Sequence, residues 1–131
     1  MTEVESTLGE QGQCVLTTLP GLSLLRFFGW CLGRFKRVRV VGESMQPTLS
    51  PGDEVLVRRC SRLRRVYPQP GQLLWLQHPL RSDIQLIKRC ERVMGSRVFV
   101  QGDNASESTD SRQFGPVSFD LILGCVVCTF P

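Results

Sequence analysis

Val38 and Val40 alternate with Arg37 and Arg39, the period of two expected of a strand with one buried face. Further short apolar runs follow, each set off by turn residues. Asp53 to Arg59 comes after Ser50-Pro51-Gly52, and Gln72 to Gln77 after Pro70-Gly71. Asp83 to Cys90, Arg97 to Gln101 and Leu121 to Phe130 complete the set. This spacing predicts a mainly β chain, a compact barrel or sandwich over residues 36–131. The start of the chain reads differently. Residues 1–13 are polar and acidic and predict a flexible tail. Residues 14–35 are apolar, and Leu22, Leu25, Phe28 and Leu32 would share one face of a short helix. Pro20, Gly21 and Arg26 interrupt that run, which falls short of the roughly 20 uninterrupted apolar residues of a membrane span. Packing on the domain, or contact with a membrane surface, is favoured over spanning.

Composition narrows this little further. A chain of 131 residues, 41% hydrophobic and 21% charged, belongs with single globular domains and not with disordered chains. The net charge of +4 is a mild excess. Its basic residues gather at Arg34, Lys36, Arg37 and Arg39 and again at Arg58, Arg59, Arg62, Arg64 and Arg65. Only Phe35 and Tyr67 lie near them, too few for the aromatic platform that binds single-stranded nucleic acid. Solvated strand faces are the expectation, with no nucleic-acid partner. The six cysteines are scattered without a disulfide-scaffold or zinc-ribbon pattern, and only Cys125-Val-Val-Cys128 has redox or metal spacing. In a regular strand Cys125 and Cys128 would point to opposite faces. Buried, reduced cysteines are expected, with no metal and no cofactor. The only histidine, His78, precedes Pro79 in a turn-like setting, so an imidazole base is not expected either.

Three segments carry chemistry. The first is Val40-Val41-Gly42-Glu43-Ser44-Met45-Gln46-Pro47-Thr48-Leu49: a serine at a strand end, followed by a proline-fixed turn, holds its hydroxyl rigidly, as a nucleophile requires. A cap or turn role would suit such a serine too. The second is Lys88, on the strand face of Ile84 and Leu86. Burial there would lower its pKa toward a value useful to a general base, although a snorkelling surface lysine has the same pattern. The third is the polar loop from Gly102 to Arg112, dense in groups able to orient an amine.

Taken in order, Gly42 to Leu49 with Pro51-Gly52-Asp53, then Lys88-Arg89, then Gly102 to Arg112, resemble the type I signal peptidase family. The resemblance runs from about Val38 to Val126 and implies a signal-peptidase-like β catalytic core. It implies a serine endopeptidase with a Ser-Lys dyad, with Ser44 as nucleophile and Lys88 as base. The family's lysine-orienting serine corresponds to Ser108, and its ion pair to Asp110 and Arg112, which would brace the loop, with Arg89 a further member. The Ser44 backbone amide would supply half of an oxyanion hole. Many members place a second donor, a serine, where this chain has Gly42. The glycine before the nucleophile is Glu43 here, and a Gly-Asp motif after the lysine is absent from Cys90 to Ser96. Met45 would line the pocket for a small side chain or simply pack.

The short stretch between Lys88 and Gly102 leaves no room for the family's large inserted domain. In size the chain is similar to the nickel-type superoxide dismutase maturation proteases, which implies removal of an N-terminal extension from one precursor, bound as an extended strand. The expected location is cytoplasmic, with membrane association left open. The alternative is a signal peptidase of the small inner-membrane type, cleaving at a membrane.

Overall fold

The computed structural model describes residues 33–60 and 67–130 and the backbone of residues 3–6. Eight strands alternate with tight turns: β1 (Glu3–Ser6), β2 (Phe35–Val41), β3 (Glu54–Arg59), β4 (Leu73–Gln77), β5 (Gln85–Met94), β6 (Arg97–Gln101), β7 (Val117–Ser118) and β8 (Ile122–Thr129). A one-turn helix, α1 (Ser111–Phe114), lies between β6 and β7. The strands form one antiparallel sheet in the order β1-β2-β3-β8-β4-β5-β6-β7. A further pairing of β1 with β5 closes its first six strands into a ring. The mainly β expectation therefore holds.

Two departures concern the start of the chain. Glu3–Ser6 falls within the expected tail but pairs with β2, from Glu3 opposite Val41 to Ser6 opposite Val38. With Val4 its one apolar residue, it escaped a hydrophobic pattern, because backbone pairing needs no apolar residue. The apolar segment 14–35 lies mostly outside the described residues, and its last residue, Phe35, begins β2. Among the described residues no helix is long and apolar enough to cross a membrane.

The core divides across the faces of β4, β5 and β8. On one face Leu74, Leu76, Leu86, Cys90, Ile122 and Cys125 pack together with Val98 and Val100. On the other, Trp75 and Ile87 join Val38, Val40, Val55, Val57, Met45 and Leu49. The alternation read from the sequence is thus the alternation between two packed faces. Val38 and Val40 are fully buried, while Arg37 and Arg39 both pair with Glu54. Lys36 lies over the Trp75 ring, 5.3 Å from its centroid. Much of the first basic cluster is therefore engaged within the domain.

Strict alternation fails at the cysteines. A register shift between Leu56 and Val57 sets Cys125 opposite Arg58 and Cys128 opposite Leu56. The extra residue of this bulge turns both cysteines to one side of the ladder. Cys60, Cys90 and Cys125 are thiols, as expected, but Cys128 is disulfide-bonded, which corrects the expectation that all are reduced. Half-buried near the end of β8, it is not sealed into the core as Cys90 is.

Candidate active site

Ser44 sits in the turn that leaves β2. The chain reverses there through Gly42, whose φ of 88° lies in the left-handed region. A side chain at Gly42 would be strained whatever its chemistry, so this position has a backbone reason to lack a hydroxyl. Beyond it, Leu49 N–H bonds to Met45 O at 2.9 Å. Met45 is fully buried and packs with Val38, Val40 and Leu49.

Lys88 projects from the middle of β5, flanked along the strand by the buried Leu86 and Cys90. Alternation carries its side chain inward, and the lysine is fully buried. Its Nζ lies 2.9 Å from Ser44 Oγ and 3.0 Å from Ser108 Oγ. The sequence expectation brought these three residues together from positions 44, 88 and 108, and the fold does the same.

The third segment has its own anchor. Asp110 caps α1: its carboxylate accepts from Arg112 N–H, and Gln113 reaches back to the Asp110 amide, a capping box on an acidic residue. The same carboxylate accepts from Ser108 Oγ at 2.7 Å, Gly102 N–H at 2.9 Å, and Arg112 Nε and a terminal guanidinium nitrogen at 2.9 and 2.7 Å. Burial pushes its pKa up, but the Arg112 guanidinium and these other donors outweigh that and hold it well below the carboxylate range. Asp110 therefore stays ionised, and Ser108 must spend its proton on it. The lone pairs of Ser108 then face Lys88.

This settles how a neutral Lys88 can bond. An unprotonated amine has one lone pair, and an N–H donated to Ser108 leaves that lone pair for the Ser44 hydroxyl. Burial lowers the Lys88 pKa to about 8, Asp110 opposing and Arg112 assisting the shift. At pH 7 about a tenth of the amine is then unprotonated, enough for a general base. The geometry can move a proton from Ser44 to Lys88 without an imidazole. His78, expected as a turn residue without a chemical role, lies where the chain bends after β4; its Nδ1 accepts from Leu80 N–H at 3.0 Å and its ring leans on Phe114.

One network was not legible in the sequence. Arg89, expected to join Asp110, faces the other way from Lys88 and grips both oxygens of Asp103 at 2.8 Å. Asp103 also accepts from Thr48 Oγ1 at 2.5 Å. Asn104 donates from its amide to Ser44 O at 2.8 Å and from Nδ2 to Glu43 O at 3.1 Å. The Gly102-Asp103-Asn104 loop is thereby pinned to the turn that carries Ser44. A strand residue next to Lys88 must point to the opposite side, a sequence signal that separates Arg89 from Asp110; its pairing with Asp103 follows only from the register that sets Arg89 opposite Gln101.

Asp110→Asn separates the two jobs of this carboxylate. It is expected to cost about 2 kcal/mol, since a buried charge-assisted cluster loses its anion. Because Asp110 raises the Lys88 pKa, the variant's amine should titrate below about 8. A denaturation midpoint and a titration of the Lys88 amine by NMR check both parts; a Lys88 pKa that rises would contradict the assignment.

Among the described residues no group of three or more His, Cys, Asp or Glu could hold a metal ion. Residues 13–98 and 89–130 match the family described as signal peptidase, peptidase S26. Mitochondrial inner membrane protease subunit 2 of Danio rerio is 32% identical over 108 residues, 66% of this chain and 58% of the relative. Mitochondrial ATP-independent inner membrane protease subunit 1b of Arabidopsis thaliana is 35% identical over 109 residues, 66% of this chain and 64% of the relative. The subunit 2 protein of Mus musculus is 31% identical over 105 residues, 64% of this chain and 60% of the relative. The chain thus spans about three fifths of the length of these relatives.

Proposed function

The chain belongs to the signal peptidase family, peptidase S26, and from that premise we propose that it is a serine endopeptidase with Ser44 as nucleophile and Lys88 as general base. The observation that carries this is a fully buried amine 2.9 Å from Ser44 Oγ. Unprotonated Lys88 accepts the Ser44 proton while Oγ bonds to the scissile carbonyl. The resulting oxyanion faces the Ser44 backbone N–H. The Lys88 ammonium gives its proton to the leaving amine as the C–N bond breaks, leaving an acyl-Ser44. Water, deprotonated by the same amine, hydrolyses that ester and returns Ser44. Ser108 holds the Lys88 amine toward Ser44 in both of its protonation states, and Asp110 with Arg112 keeps Ser108 in place.

The substrate is a precursor protein, read as an extended strand. The relatives are named as inner membrane proteases, which favours a precursor cleaved at a membrane over the nickel-type superoxide dismutase precursor. The latter stays as a second reading because the strand after Lys88 returns directly through the β5–β6 hairpin, with no inserted domain to engage a bilayer.

Both precursors are offered to the purified chain. Cleavage of a membrane-presented precursor after a small residue, and its loss in Ser44→Ala, is the expected result. Cleavage of the dismutase precursor alone would select the second reading. Continued cleavage by Ser44→Ala would remove the dyad. For the active chain, kcat/KM should climb about tenfold per pH unit below the Lys88 pKa of about 8 and level off above it. His78→Ala should leave that profile in place.

A further inference from the structure

An extended peptide that delivers its carbonyl to Ser44 Oγ must run along the strands that present Ser44 and Lys88. Those are β2, which ends at Val41, three residues before Ser44, and β5, where Leu86 stands two residues before Lys88. β3 holds one edge of β2, and β4 holds one edge of β5. β6 takes the other edge of β5 from Arg89 onward; the part of that edge before Arg89 faces the remaining edge of β2, and Glu3–Ser6 lies between them. Its register runs along β2 from Val41 to Val38, and Glu3 also pairs with Leu86 of β5. The Glu3 end is the one nearest the Ser44–Lys88 pair.

We propose that Glu3–Ser6 is an internal occupant of the peptide cleft, a strand of the chain's own that substrate must displace before cleavage. This rests on the peptidase reading above. The cleft is one strand wide, since a single segment pairs with both of its walls. A substrate strand would therefore claim the same backbone donors and acceptors. The occupant is also lightly held on one side. Glu3↔Leu86 is its one register pair with β5, whereas β4 pairs with β5 over five positions, from Leu73 to Gln77. A four-residue strand so anchored can open locally while the β2, β3, β8, β4 and β5 ladders persist. Substrate then binds only the open fraction of molecules, and its apparent affinity is reduced by that fraction.

Two experiments on the full chain decide this. In the first, Ser44→Ala is mixed with an uncleaved peptide bearing small residues before the target bond, and backbone hydrogen exchange is followed. Amides of residues 3–6 should exchange roughly tenfold faster with peptide present. Unchanged or slower exchange there would make β1 a fixed wall of the barrel and overturn the proposal. In the second, Val4→Pro with Glu5→Pro breaks the ladder, because proline cannot donate to it. KM for the peptide should fall about tenfold with kcat within twofold. An unchanged or raised KM, or loss of cleavage, counts against an occupant and for a structural strand. The exchange readout needs no turnover, so it fails separately from the dyad, which Ser44→Ala tests by cleavage.

Discussion

Lys88→Met is expected to abolish precursor cleavage and, at neutral pH, to make the domain more stable. The activity loss should be on the order of 10⁴-fold or more, because among the described residues only the Lys88 amine bonds to Ser44 Oγ and members of a dyad act as a unit. The gain in stability comes from the same burial. Lys88 has its pKa lowered from 10.5 to about 8, so below about pH 8 folding either buries an ammonium or strips its proton. That costs about 3 kcal/mol at neutral pH. Methionine fills a similar unbranched volume without charge. It forfeits hydrogen bonds to Ser44 and Ser108, roughly 1 kcal/mol each. A net gain of about 1 kcal/mol should remain. The cost fades as pH rises from about 8 toward 10.5, where the unfolded lysine also loses its proton. The variant's advantage should therefore shrink over that window. Urea midpoints at pH 7 and pH 10 measure this; a variant less stable at pH 7 would mean that Lys88 holds the fold together instead of straining it.

Gly102→Ala should produce the second large effect. A Cβ there would stand 2.6 Å from Ser108 Cβ and 2.7 Å from Ser44 O, and neither contact is a flexible chain end. The backbone or both serines must move, at about 2 kcal/mol for overpacking. A displacement near 1 Å at reacting groups costs roughly 10²-fold in rate, so kcat should fall by that factor in protein that remains folded. Gly124→Ala is the control. Its Cβ would meet the Arg58 carbonyl, with the carbon 3.1 Å away, in the β3–β8 ladder and not beside Ser44. It should lower the urea midpoint while sparing kcat.

These two residues illustrate what a sequence can reveal. Lys88 was legible because its alternation with Leu86 and Ile84 buries it, and because Ser44, Lys88 and the Gly102 to Arg112 loop stand in the order of a known family. The close approach at Gly102 was not legible, since it depends on residues 44, 102 and 108 meeting in space. The same holds for Arg89, whose partner was set by the face of β5 it occupies. Periodicity placed β2 to β6 and β8 to within a few residues, apart from the length of β5. It missed β1, whose pairing is by backbone, and β7 and α1, which are too short to show a period. It also misjudged Cys125 and Cys128, because a bulge resets alternation in a way that no single strand announces.

The turn that joins β5 to β6 has a consequence of another kind. Met94 pairs with Arg97 across a reversal at Gly95, whose φ is 63° and whose surroundings are open. Residues 94–97 are all exposed there. Lengthening such a turn adds loop entropy only logarithmically, and the Lys88 end of β5 stays clamped by β4. The hairpin is therefore a socket. Sequence of almost any length could be spliced in at Gly95, giving the domain new reach toward a surface or partner while Lys88, Ser44 and Ser108 stay where they are.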